Sequence, residues 1–414
     1  MIDRLKCQNI SLERYFAYNQ NMTKEKLIIV FTVLIDVIGL GIIIPVMPTY
    51  VHSFGASPSV ITLLFSVFAL FSFLSAPLLG ALSDKIGRRP ILLVSILSSS
   101  IGWFIFAWAP SLLFLFIGRI VDGLAAGNFS TAQSAISDLA KDQKERTANL
   151  GLTGAIFGIG FLLGPLLGGI LSKVSPAFPF WFVGCLALAN VILAYFFLPE
   201  TNTNLHPEKE IHWNPLKPIM EGFKEIKLRK LYVTWFMFNA IAVGTNSIFA
   251  LYLLKAFNYG AYESGLFFTG VGIVIAFNQG FALKKFWLKY FTEKKLIIIM
   301  LASFAIGFAC MAYPTLWFFI IGLVFAAFGQ SVLRVAITSE VLGESDERSR
   351  GQATGVLSAI QNSASIVAPL IAGYLFEFKD TLPYMAAGII SIATIIYISN
   401  RKFAKISPVT PDSI

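Results

Sequence analysis

The chain has 414 residues, of which 56% are hydrophobic and only 13% charged, with a mean hydropathy of +0.73, whereas soluble domains carry charge on about a quarter of their residues. That balance excludes an ordinary soluble enzyme, and the formal charge of +9 does not indicate nucleic acid, because Lys and Arg fall between apolar runs rather than along one basic stripe. Cys7, Cys185 and Cys310 are too few and too scattered for a disulfide framework or a CxxC metal site, so no metal, cofactor or redox chemistry is expected.

Residues 1–23 are polar, with Arg4, Lys6 and Arg14, and they lack the cleavage pattern of a signal peptide. They read as a cytoplasmic tail. After them come twelve apolar runs of the length, about 20 residues, that a helix needs to cross a hydrocarbon core of about 30 Å. The runs lie near 27–50, 58–80, 90–109, 112–134, 150–172, 179–198, 231–254, 263–283, 295–312, 315–336, 352–375 and 382–399. The predicted fold is therefore an all-α membrane protein with twelve transmembrane helices in two six-helix halves, over 24–198 and 230–400. A cytoplasmic linker over 199–229 joins them, and a cytoplasmic tail over 401–414 follows.

Loop charge sets the orientation. Lys24 and Lys26, Lys85, Arg88 and Arg89, Lys141, Lys144 and Arg146, Lys284, Lys285, Lys289, Lys294 and Lys295, and Arg401, Lys402 and Lys405 fall on one side. The loops around His52, Ala109 and Pro314 hold almost no positive charge. The basic side is read as the cytoplasm, which places a multi-pass protein in the inner membrane with both termini inside. An internal repeat supports the division into halves. Ile136-Ser137-Asp138, Glu145-Arg146, Gly164-Pro165 and Gly168-Gly169 reappear in order as Thr338-Ser339-Glu340, Glu347-Arg348, Ala368-Pro369 and Ala372-Gly373. Both copies run in the same sense, so the halves are expected to be related by a pseudo-twofold axis along the membrane normal.

Between the second and third runs stands Gly80-x-x-x-Asp84-x-x-Gly87-Arg88-Arg89. Glycine allows a tight turn there, and the acid and arginines can pair with neighbouring helix ends. With the helix count, the repeat and the motif order, this pattern resembles the major facilitator superfamily over the whole chain. The resemblance implies that Asp84, Arg88 and Arg89, with Asp138 as partner in the next loop, form a cytoplasmic gate. The matching loop of the second half holds Ala282, Phe286 and Tyr290, so its gate is degenerate.

The fifth run carries Gly154, Gly158, Gly160, Gly164-Pro165 and Gly168-Gly169. Small residues let helices approach closely, and a packing role is expected for Gly154, Gly158, Gly164, Pro165 and Gly168. The string is similar to the signature of the drug:proton antiporter branch of that superfamily, which favours export. Asp36 in the first run, with Arg119 and Asp122 in the fourth, places charge inside the bilayer, which is costly and usually functional. These segments resemble the tetracycline-resistance and multidrug efflux pumps. Two positions depart from the tetracycline pattern: the acid expected in the third run falls on Gly102, and the histidine expected in the eighth falls near Ile275.

Asp36 lies about 9 residues into the first run, roughly 14 Å at 1.5 Å per residue, and Asp122 about 11 residues into the fourth from the other side, which in a core of about 30 Å is nearly the same depth. Arg119 stands at i and i+3 from Asp122 and can pair with it, which leaves Asp36 as the expected proton carrier, with Asp122 and Arg119 as its coupling partners. Asn239, Asn246 and Gln330 are assigned to a substrate cavity between the halves, where a midplane site is expected. Arg334 is expected to snorkel to the cytoplasmic surface. No GxxxxGK[ST] phosphate loop occurs, and His52, His206 and His212 lie in loops, so neither ATP-driven transport nor a membrane enzyme is expected. The reading is a monomeric proton-coupled exporter of a small amphipathic molecule, in contact with substrate, protons and the lipid bilayer. The alternative is a facilitator or importer of a metabolite.

Overall fold

The computed structural model describes residues 24–124, 126, 128–140, 142–202, 205, 214, 216–346 and 349–399. The tails, part of the linker including His206 and His212, Lys141 and the Glu347-Arg348 copy of the repeat lie outside the described residues. Every described element is a helix: α1 (Lys24–His52), α2 (Pro58–Ile86), α3 (Arg88–Ala107), α4 (Leu112–Leu124), α5 (Asn128–Asp138), α6 (Gln143–Leu171), α7 (Phe178–Phe197), α8 (Lys217–Gly222), α9 (Ile226–Phe257), α10 (Ala261–Phe277), α11 (Leu288–Tyr290), α12 (Glu293–Met311), α13 (Leu316–Glu344), α14 (Arg350–Phe378) and α15 (Leu382–Ser399). A π-helix over Asn278–Trp287 joins α10 to α11.

Eleven helical stretches are long and apolar enough to cross a membrane. The expected fourth span, 112–134, is instead divided between α4 and α5. Gly123 and the Asn-Phe-Ser-Thr opening of α5 are weak helix formers, and Ser75 on α2 donates its hydroxyl to the Gly123 carbonyl at 3.0 Å, which serves an acceptor that the end of α4 would leave open. Local chemistry sets other ends. Pro58 begins α2 without sacrificing a donor, and the Asp142 carboxylate accepts from the Glu145 amide at 2.7 Å to cap α6. Asn258 ends α9 in the left-handed region at φ 56°.

The helices form two groups that pack in the same pattern. In the first, α1 lies on α6, α3 on α7 and α3 on α4; in the second, α9 lies on α14, α12 on α15 and α12 on α13. The closest approaches match as well. A Cβ built on Gly102 of α3 would lie 2.8 Å from the Gly118 carbonyl oxygen of α4, and one on Gly307 of α12 would lie 2.7 Å from that of Gly322 on α13. Gly164 meets Gly41 where α6 crosses α1, and Ala368 meets Gly244 where α14 crosses α9. Between the groups the main contacts are α6 with α10, α2 with α14, and α1 with α9. The apolar core runs through both groups, with Tyr50, Phe106 and Phe180 clustered in one and Tyr252, Phe319 and Tyr384 in the other.

Candidate functional site

Two stripes on α6 decide the shape of the space between the groups. One stripe, Gly160, Gly164 and Gly168, faces α1, where built Cβ atoms would lie 2.9 Å from Val37, 2.7 Å from the Gly41 Cα and 2.9 Å from the Ile42 carbonyl oxygen. The other stripe, Gly154, Gly158, Leu162, Pro165 and Gly169, points at α10 by helical spacing. At its far end a Cβ on Gly265 would lie 2.5 Å from the Pro165 carbonyl oxygen, and Leu162 meets Gly272. At its near end Gly154 and Gly158 have nothing within 4 Å. The expectation that these two glycines pack a helix is therefore corrected: α6 and α10 diverge before reaching them.

The other seam opens in the same direction. Gly373 of α14 abuts Thr62 of α2, whereas Gly80 on α2 and Gly351 and Gly355 on α14 face open space. The groups are closed at the end that holds the 53–57, 172–177 and 379–381 loops, and apart at the end that carries the basic loops. At the closed end the Glu377 carboxylate accepts from the Ser59 amide at 3.1 Å, the Lys173 ammonium sits 3.3 Å from the centroid of the Tyr262 ring, and Lys255 lies 3.9 Å from Asp380.

On the first group, the Arg119 guanidinium pairs with Asp122 at 3.0 Å, and both side chains are buried. Phe68 and Trp103 offer ring faces to Arg119 with centroids at 4.1 and 5.3 Å. Gly102 lies against Asp122, where a Cβ would be 3.0 Å from the Asp122 Cβ, so the position of the missing third-span acid has no room for a side chain. Asp36 is half-buried on α1. Because α1 packs mainly on α6 and α7 while α4 packs mainly on α2 and α3, the two acids sit in separate helix clusters.

At the basic end, Arg88 joins three elements. Its guanidinium reaches Asp84 at 2.7 Å and Asp138 at 3.1 Å, and donates to the Ser83 hydroxyl at 2.5 Å. Arg89 donates to the Tyr195 carbonyl at 2.6 Å. Every member of this cluster belongs to the first group, and it is assembled while the basic end is open. Gly87 makes the turn at φ 109°, a region that favours glycine. Sequence reasoning missed Glu200, whose carboxylate accepts from the amides of Arg88, Arg89, Thr201 and Asn202 at 2.8 to 3.1 Å. An acid placed there complements the amino end of α3. In the second group the matching segment carries no such cluster among the described residues: Phe286 packs edge-on or tilted against Trp287, Tyr290 and Phe291 with centroids 4.9 to 6.0 Å apart.

Of the expected cavity residues, Asn246 and Gln330 line one pocket between α9, α10, α12 and α13, walled by Phe249, Phe268, Phe304 and Phe308. Its volume of about 30 Å³ suits about one water, so a larger solute would have to lie across its mouth. Asn239 does not join them. It is buried, and its amide donates to the Trp235 carbonyl one turn back at 2.7 Å, a bond within its own helix that removes it from the cavity. Arg334 is exposed, one helical turn beyond Gln330 on α13. The helix continues to Glu344, and the guanidinium donates to the Gln361 side-chain oxygen on α14 at 3.4 Å.

Comparison with known proteins gives the site a context. The family model of the Major Facilitator Superfamily matches residues 29–287 and 280–410. The class C tetracycline resistance protein of Escherichia coli is 30% identical over 358 residues, covering 84% of this chain and 89% of its own. The quinolone resistance protein NorA of Staphylococcus aureus (strain MRSA252) is 28% identical over 394 residues, covering 92% and 97%. Among solved structures, the nucleoside transporter NupG superposes with a TM-score of 0.75 at 13% identity, over 92% of this chain and all of its own.

Proposed function

This chain belongs to the Major Facilitator Superfamily and is a transporter of that family, and from that premise we propose that it is a proton-coupled antiporter that exports a small amphipathic molecule by alternating access. The observation that carries the reading is the divergence of α6 from α10 and of α2 from α14, close at one end and open at the other. Two bundles that meet at one end only are the geometry of one half of a rocking cycle. In this reading the bundles are two six-helix halves, 24–198 and 230–400, with α4 and α5 together making the fourth of twelve spans and a pseudo-twofold axis between the halves. The matched packing pairs, Gly102–Gly118 with Gly307–Gly322 and Gly41–Gly164 with Gly244–Ala368, support that axis. By the loop charges the open end faces the cytoplasm, which makes this the state that loads solute from inside the cell.

The resistance proteins among the relatives support the direction of transport. Asp36 is the proton carrier, because it stands half-buried in a helix that lines the seam between halves, whereas Asp122 is held in a buried pair with Arg119. The gate residues Asp84, Arg88, Arg89 and Asp138 brace the cytoplasmic end of the first half as one rigid unit. Substrate contacts come from Asn246 and Gln330.

The test is substrate-induced proton release and efflux in inside-out vesicles with an imposed pH gradient. Asp36→Asn is expected to bind and exchange substrate while releasing no proton, because the amide keeps the shape but cannot take up a proton. Full coupling in Asp36→Asn would refute the assignment, and transport indifferent to the gradient in the unaltered protein would favour a facilitator.

A further inference from the structure

Arg334 is a charged side chain placed far from either end of an apolar helix. About ten residues of α13, or roughly 15 Å at 1.5 Å per residue, separate it from the end of that helix at Glu344. Charge at such depth is costly and is normally offset by a partner. None is present among the described residues: the ion pairs formed there by Arg88, Arg119, Lys26, Lys217 and Lys255 do not include Arg334. Its one polar contact, with Gln361 at 3.4 Å, is longer than a good hydrogen bond. The side chain is nonetheless exposed, although apolar span residues surround it in sequence. It stands one turn beyond Gln330 on the same face of α13 and reaches Gln361 of α14, which places it toward the space between the bundles.

The surroundings are polar and uncharged. Gln330 is one turn earlier on α13 and lines the pocket that Asn246 shares, and Gln361 comes from α14. A guanidinium presents five N–H donors in a planar fork that matches a carboxylate in two parallel bonds, and one long contact to an amide oxygen leaves most of that fork unused. We infer that Arg334 and Gln361 form a binding site for an acidic group, a carboxylate, on the exported molecule. The inference rests on the export reading above and narrows it: the solute carries an anionic end at Arg334 and an apolar body across the mouth of the pocket that Gln330 lines.

The test uses purified full-length protein in maltoside micelles, free of acidic lipid, with pyrenebutyric acid and its methyl ester as matched probes read by fluorescence anisotropy. The unaltered protein is expected to bind the acid at least about tenfold more tightly than the ester, the scale of one charge-assisted pair. Arg334→Gln should erase that preference while changing ester binding little. Arg334→Lys, which keeps the charge without the fork, should retain part of it. Equal binding of the two probes by the unaltered protein, no binding of either, or an equal loss of both in Arg334→Gln would overturn the site. If the preference follows Arg334 but inside-out vesicles accumulate no pyrenebutyrate in their lumen, the binding site stands and the export reading fails.

Discussion

Gly158→Leu separates folding from transport cleanly. In the present state a Cβ at Gly158 meets nothing within 4 Å, so the added side chain has room and the folded protein should form with little loss of stability. In the proposed cycle the opposite state closes the basic ends of α6 and α10. The α10-facing stripe would then come together at Gly158 as it now does at Pro165 and Gly169, where a Cβ on Gly265 stands 2.5 Å from backbone oxygen. Overpacking a close contact costs about 1–3 kcal/mol, which shifts a two-state equilibrium by a factor of about 5 to 150. The variant should remain in the state open to the cytoplasm. A cysteine introduced by Gly351→Cys in a background lacking Cys7, Cys185 and Cys310 reports this, because position 351 faces open space here and is expected to be covered when the seam closes. Labelling from the cytoplasmic side should stay high in the presence of substrate and efflux should fall to background. Normal efflux with unchanged labelling would show that the α6–α10 seam does not close at Gly158, and the rocking model would lose its main support.

Gly164→Leu should behave differently, because its Cβ would be 2.7 Å from the Gly41 Cα inside one half; a loss of at least about 1–3 kcal/mol should appear as a lower melting temperature in detergent, in every conformational state. Arg119→Ala should cost about 3–5 kcal/mol by stranding the buried Asp122 charge, and adding Asp122→Leu should recover much of it; a double variant no more stable than the single would disprove the pairing. Glu200→Ala removes the acceptor of four backbone amides at the start of α3, and a loss of about 1 kcal/mol is expected by melting, with looser packing of the Arg88 cluster visible as faster hydrogen exchange of the Arg88 and Arg89 amides.

Most of the helices were legible because a span must be apolar over its whole length and a loop must be polar, and both requirements write themselves into consecutive residues. The break between α4 and α5 was not, because average hydropathy over 112–134 does not register Gly123 and an Asn-Phe-Ser-Thr helix start. The start of α9 at Ile226 came earlier than the apolar run at 231, since Lys227, Arg229 and Lys230 make a polar but fully helical first turn. Glycine spacing revealed that α6 packs closely but not on which neighbour at which height, and only the three-dimensional divergence removes Gly154 and Gly158 from contact. Glu200 was invisible for a related reason: its partners Arg88 and Arg89 are over a hundred residues away. Asn239 shows the converse limit, since a polar residue in a span satisfied by its own backbone reads the same in sequence as one that faces a solute.

The two stripes of α6 carry a pharmacological consequence. On the proposed cycle a compound seated beside Gly154 and Gly158 would act as a doorstop, occupying the space that lies open there. A cell could evade it by enlarging either glycine, but the bulk that expels the compound would obstruct the same closing surface. Escape mutations at that seam would therefore disable the transporter they were selected to protect.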